Sequence, residues 1–159
     1  MTYRILAMLV ALGVLVQAAV IAWAFFGFAK WIDEGNTFTQ EMMECEDCAW
    51  NFTEERGFMI HGLSGSLIIP VIALLLAIIS FFMRSRALLL WGVITFVLVV
   101  IQSQVLPALG HSYPVFGALH GLNALLVFIA ALIAWRKAGA PAPVPAEPEG
   151  ATGRPTPPG

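Results

Sequence analysis

The chain has 159 residues, of which 59% are hydrophobic and 11% charged, and a formal net charge of −2. That balance excludes an ordinary water-soluble domain, in which polar residues recur at helical spacing along every helix. Eight of the ten acids lie between Asp33 and Glu55, whereas the basic residues sit mostly at the ends of apolar runs, so no basic surface suited to nucleic acid is built.

The first apolar run, Ile5 to Ala29, follows Arg4 and carries Gln17 in its middle. Its 25 residues exceed the core of a cleavable signal, so a retained helix is expected although Val16 to Ala19 offers small residues for cleavage. The loop that follows, Lys30 to Gly57, sets eight acids against two basic residues. Inside it lies Cys45-Glu46-Asp47-Cys48. On the outer, oxidising side of a membrane such a close pair forms a structural disulfide. The same spacing also suits dithiol exchange or metal binding, although Glu41, Glu44, Glu46 and Asp47 disfavour a thiolate.

The second run, Phe58 to Met83, opens with His61-Gly62-Leu63-Ser64 and contains Pro70. Arg84 and Arg86 link it to a third run, Ala87 to Leu109, which carries Gln102, Ser103 and Gln104. After the short segment Gly110 to Pro114 comes the fourth run, Val115 to Trp135, with His120-Gly121-Leu122-Asn123 in its first half. Arg136 and Lys137 close it, and residues 138–159, with seven of the ten prolines, are expected to form a disordered Pro/Ala-rich cytoplasmic tail.

At ~1.5 Å rise per residue each run crosses a hydrocarbon layer of ~30 Å. Continuous apolar runs exclude a barrel, whose strands alternate, so the expected fold is an all-α integral membrane four-helix bundle over residues 1–137. Arg4, the Arg84/Arg86 pair and the Arg136/Lys137 pair alternate along the chain as the positive-inside rule requires. Both termini are therefore expected in the cytoplasm and the acidic loop outside, in a bacterial cytoplasmic (inner) membrane.

The two His-Gly-Leu openings form an internal echo. Each half reads as a hairpin with an amide on its first arm, Gln17 or Gln102, and a histidine on its second, which predicts a pseudo-twofold bundle. No Asp, Glu, Lys or Arg lies deep in a run, which argues against an ion-coupled transporter. Imidazole is the one buried side chain able to ligate a metal near neutral pH. The second and fourth helices run the same way, so His61 and His120 approach one face and suit the two axial positions of a haem iron. Gly62, Gly65, Gly117 and Gly121 remove bulk where a porphyrin would press. Interhelical hydrogen bonding, or a pocket for a quinone or other small ligand, accommodates the same residues. One count opposes the pairing: His61 lies 23 residues from Arg84 and His120 16 from Arg136, ~10 Å apart in depth at helical rise, whereas counted from Phe58 and Val115 they differ by only ~3 Å.

An outer-loop cysteine pair, Cys45 and Cys48, then Glu54 and Glu55, then His61 opening one helix and His120 in another: this order resembles one half of haem A synthase and, more loosely, the membrane b-type cytochromes. It is also similar to small bacterial four-helix membrane proteins of uncharacterised function. The resemblance covers Ile5 to Trp135 and implies a bundle holding a single haem. The synthase places a glutamate close before its helix-two histidine, whereas Phe58 stands three before His61 here, a departure that tells against the synthase's activity.

The leading expectation is a membrane protein that binds haem b through His61 and His120 for electron transfer or haem handling. Whether it is an enzyme is left open. One alternative is a cofactor-free structural or interaction protein whose acidic loop meets a redox or envelope partner. A second is a quinone-linked thiol-disulfide oxidoreductase using Cys45 and Cys48.

Overall fold

The computed structural model describes residues 1–44 and 49–139; Cys45, Cys48 and the tail from residue 140 onward lie outside the described residues. What is described is helical: α1 (Thr2–Asp33), the short α2 (Gln40–Glu44), α3 (Thr53–Phe82), α4 (Arg86–Ser112) and α5 (Phe116–Lys137). All but α2 are long and apolar enough to cross a membrane. The helices overrun the apolar runs of the sequence because a helix end needs backbone partners more than apolar side chains. In particular, Gly110, His111 and Ser112 continue α4 and are not part of a loop, which shortens the α4–α5 connection to Tyr113, Pro114 and Val115.

The long helices pack as a square. Helices α1 and α4 each contact both α3 and α5, so α1 faces α4 and α3 faces α5 across the diagonals. The short α3–α4 and α4–α5 links make those neighbours antiparallel. Buried positions recur at the same four-three-four spacing on three helices: Ile69, Ala73, Leu76 and Ser80 on α3; Leu88, Gly92, Thr95 and Val99 on α4; Asn123, Val127, Ala130 and Ala134 on α5. This is the seam of side chains that long, nearly parallel helices interlock.

Alanine and glycine stand between Leu, Ile and Val on the inside, and large apolar side chains also cover the outside, where a soluble bundle is polar. A Cβ on Gly92 would come within 2.8 Å of the Ser80 Cβ, and one on Gly57 within 2.6 Å of the Val20 carbonyl oxygen. Glycine is what lets these backbones approach. Phe26 and Phe82 are 78% and 81% exposed, with many Leu, Ile and Val beside them, an apolar shell that water would not tolerate and lipid tails would.

Charge divides the bundle end to end. Arg4 lies over the Trp135 ring at 5.0 Å, and the Tyr3 hydroxyl donates to the Leu88 carbonyl at 2.9 Å across the α1–α4 diagonal. These contacts gather the start of α1, the end of α5 and the α3–α4 link, and with them Arg4, Arg84, Arg86, Arg136 and Lys137, at one end. Asp33, Glu34, Glu54 and Glu55 occupy the other, where Phe28, Trp31, Phe38 and Phe52 form an aromatic cluster.

Both proline-bearing helices change pitch at matching places. A π-turn over Ser64–Ile68 in α3 ends two residues before Pro70, and another over Ile101–Val105 in α4 ends two before Pro107. Proline lacks an N–H and its ring presses on the carbonyl four residues earlier, so widening the preceding turn relieves the contact without breaking the helix.

Candidate functional site

Two apolar layers fill the half of the bundle nearer the basic end. Tyr3, Ala7, Leu76, Leu88 and Ala134 form the first, and Val10, Ala11, Ile69, Ala73, Val99, Val127 and Ala131 the second. Beyond them, toward the acidic end, comes a polar layer. It contains Gln17 from α1, His61 and Ser64 from α3, Gln102 from α4, and His120 and Asn123 from α5.

His61 and His120 meet there across the α3–α5 diagonal. Their ring centres are 6.3 Å apart with the planes tilted by 57°, and both side chains are half-buried. The depth mismatch counted from the arginines does not keep the rings apart. Helix α3, at 30 residues, is longer than α5, at 22, and runs 21 residues beyond His61 where α5 runs 17 beyond His120.

Each histidine is followed three residues later by a polar side chain, and that side chain meets the glutamine of its own hairpin. In the first hairpin the Gln17 carboxamide hydrogen-bonds Ser64 Oγ. In the second the Asn123 carboxamide nitrogen donates to Gln102 Oε1 at 2.8 Å and to the Leu98 carbonyl at 2.9 Å. The internal echo of the sequence therefore has a counterpart in side-chain contacts. Its π-turns do not obey it, falling on the second arm of one hairpin and the first arm of the other.

The surroundings of the two rings differ. His61 Nδ1 lies 3.3 Å from the Gln17 backbone carbonyl, within reach of the Gln17 side chain as well. His120 Nδ1 is buried without a side-chain hydrogen-bond partner, and its ring faces the Gln102 backbone as His61 faces that of Gln17. A buried imidazole nitrogen with no partner is costly.

The four glycines divide into two kinds. A side chain added at Gly62, Gly117 or Gly121 would meet nothing within 4 Å, so these three border open space. A Cβ added at Gly65 would instead come 3.2 Å from the Gln17 carboxamide oxygen, so the glycine makes room for that amide. A Cβ added at Gly110 would stand 3.6 Å from the Gly117 backbone nitrogen, where α4 closes on α5. His111, on the last turn of α4, is exposed.

Sequence reasoning found both histidines and missed their joining to the amides. The signal was present: a Ser or Asn three residues after each His faces the same side of the helix, where a partner helix carrying Gln can meet it. The π-turns were also missed, although each proline marks one.

Comparisons with protein-family models, with curated proteins and with solved structures found no match.

Proposed function

We propose that this chain is a membrane haem b protein in which His61 and His120 are the axial ligands of one iron. The observation that carries the reading is the 6.3 Å between the two ring centres. Two metal–imidazole bonds of ~2.0–2.1 Å in line, with the distance from each nitrogen to its ring centre, give roughly 6 Å. A direct hydrogen bond between the rings would bring them closer.

The ligand set favours haem over a bare ion. Among the described residues no group of three or more His, Cys, Asp or Glu side chains gathers. A pair alone suits an iron whose porphyrin brings the other four nitrogens, and neutral imidazoles on opposite helices of a bundle are the usual way to hold one. Gly62, Gly117 and Gly121 are exposed and border open space, which leaves room for a flat macrocycle at that surface. When bound, the group supplies one-electron redox chemistry. The chain's own residues then hold the iron, and the two apolar layers separate it from the basic end.

The same reading includes orientation. With Arg4, Arg84, Arg86, Arg136 and Lys137 at one end, the rule that cytoplasmic ends are basic puts both termini inside and the histidine layer in the outer leaflet. The acidic end, with Glu54, Glu55 and exposed Trp50 and Phe38, then faces a redox partner across the outer surface.

Reduced-minus-oxidised spectra of membranes containing the wild type, His61→Ala and His120→Ala test the proposal. A b-type band in the wild type and its loss in each variant is the expected result. A wild type without any haem band in haem-replete cells leaves the cofactor-free reading, in which the amide contacts serve only to lock the helices together.

A further inference from the structure

Each hairpin starts its first arm at the basic end with an exposed arginine, and each arginine borders an apolar hollow on the outside of the bundle. On α1, Arg4 borders a hollow of about 320 Å³ lined by Ile5, Met8, Leu9 and, from α5, Trp135. On α4, Arg86 borders one of about 410 Å³ lined by Leu89, Leu90 and Val93.

The two hollows differ in construction. The second is walled by one helix, whereas the first is a groove between two, and its arginine is held in place. The Arg4 guanidinium lies 5.0 Å from the centre of the Trp135 ring, and a Cβ on Gly139, just past α5, would come within 3.1 Å of the guanidinium carbon. An arginine laid on an aromatic face still has the N–H groups of its edge to offer a phosphate.

No carboxylate of the bundle answers that charge. Among the described residues the ion pair that forms is Lys30 with Glu34, at the opposite end, so Arg4, Arg84, Arg86, Arg136 and Lys137 share one end without an acid. Trp135 belongs to the level where lipid tails give way to headgroups. A soluble anion at Arg4 would leave Ile5 and Leu9, 51% and 43% exposed, uncovered beside it. A free hydrocarbon chain would cover them and leave the guanidinium alone. A phospholipid does both, and five cations without an acid select a headgroup of net negative charge.

We infer that the α1–α5 groove is a binding site for one anionic phospholipid, its phosphate on the Arg4 guanidinium and the upper part of one acyl chain against Ile5, Met8, Leu9 and Trp135. The site needs no haem, and it faces headgroups whichever way the bundle crosses the membrane. The Arg86 hollow carries the same charge over a similar lining but lacks the second wall, which makes it the internal control.

Native mass spectrometry of the full-length protein, released from micelles doped with equal amounts of phosphatidylglycerol and phosphatidylcholine, counts the lipid retained. The wild type is expected to keep one phosphatidylglycerol per chain in preference to phosphatidylcholine. Arg4→Gln should weaken retention by about fivefold or more, the weight of one cation at an anionic surface, while Arg86→Gln leaves it within about twofold. Leu9→Trp, which fills the groove and keeps Arg4, should weaken it as well, with a melt in the same micelles showing that the helices persist. Equal losses in the two arginine variants mean diffuse attraction and overturn the inference; both residues are exposed, so this comparison decides even if Leu9→Trp does not fold. Undiminished retention in a folded Leu9→Trp, or displacement of the lipid by inorganic phosphate alone, removes the acyl chain from the site and contradicts it too. Retention that appears only after Glu147→Gln and Glu149→Gln makes the chain's own tail the occupant, and the proposal fails.

Discussion

The two hairpins repeat one amide contact and differ in the residue that receives it. Helices α1 and α3 bring Gln17 to Ser64, and α4 and α5 bring Gln102 to Asn123, each partner standing three residues beyond a histidine. Serine is short, so the Gln17 amide reaches past it to the ring of His61. Asparagine is long and takes both Gln102 and the Leu98 carbonyl, leaving His120 Nδ1 without a side-chain partner. A near-symmetric frame thus produces two unequal imidazoles, and a single side-chain length decides which of them an amide reaches.

The largest effects should come from the rings themselves. Removing either one is expected to abolish the haem band, whichever hairpin it belongs to. A variant of one histidine that keeps a full band would show that the hairpins do not share a single iron. Next comes space. Gly117→Leu fills an open position on the His120 face of α5, one turn toward the acidic end. It should leave the thermal midpoint of the haem-free protein little changed, within ~0.5 kcal/mol as for exposed sites, and cut haem occupancy sharply. Full occupancy in that variant removes the glycine from the site.

Gly92→Val sharpens the contrast between open and crowded glycines. Its new side chain meets Ser80 at 2.8 Å, and overpacking of this kind costs about 1–3 kcal/mol. Reversible unfolding in micelles should show that loss, and a neutral result would mean that α3 and α4 can part without cost. The comparison between hairpins is broken most directly by Asn123→Ser, which copies the first hairpin into the second. It removes the bonds to Leu98 and Gln102, worth about 0.6–1.7 kcal/mol, and frees Gln102 to reach His120. The readout is the His120 ring nitrogens, which should shift in this variant and in no other α5 surface change. Smallest is Tyr3→Phe at the basic end. Losing the buried bond to the Leu88 carbonyl should lower stability by about 0.6 kcal/mol and leave the histidine layer untouched.

The bundle was legible because bilayer thickness and backbone pairing leave few choices to four long apolar runs. Both histidines were legible because a polar ring in such a run stands out. Their meeting was expected because the second and fourth helices run the same way, although the count from Arg84 and Arg136 argued against it. The π-turns depend on how a helix relaxes next to Pro70 and Pro107, a property of backbone geometry that hydropathy does not carry. Ser64 and Gln17 were visible as lone polar residues, yet 47 positions separate them in sequence, and only the packing of α1 on α3 makes them partners.

The central claim is that one iron joins the two rings of the polar layer. Electron paramagnetic resonance of the oxidised, haem-loaded protein tests it most directly. One low-spin haem per chain, with two imidazole ligands, is predicted for the wild type, and loss of that signal in both His61→Ala and His120→Ala. A high-spin wild type, or a low-spin signal that survives either substitution, contradicts the account.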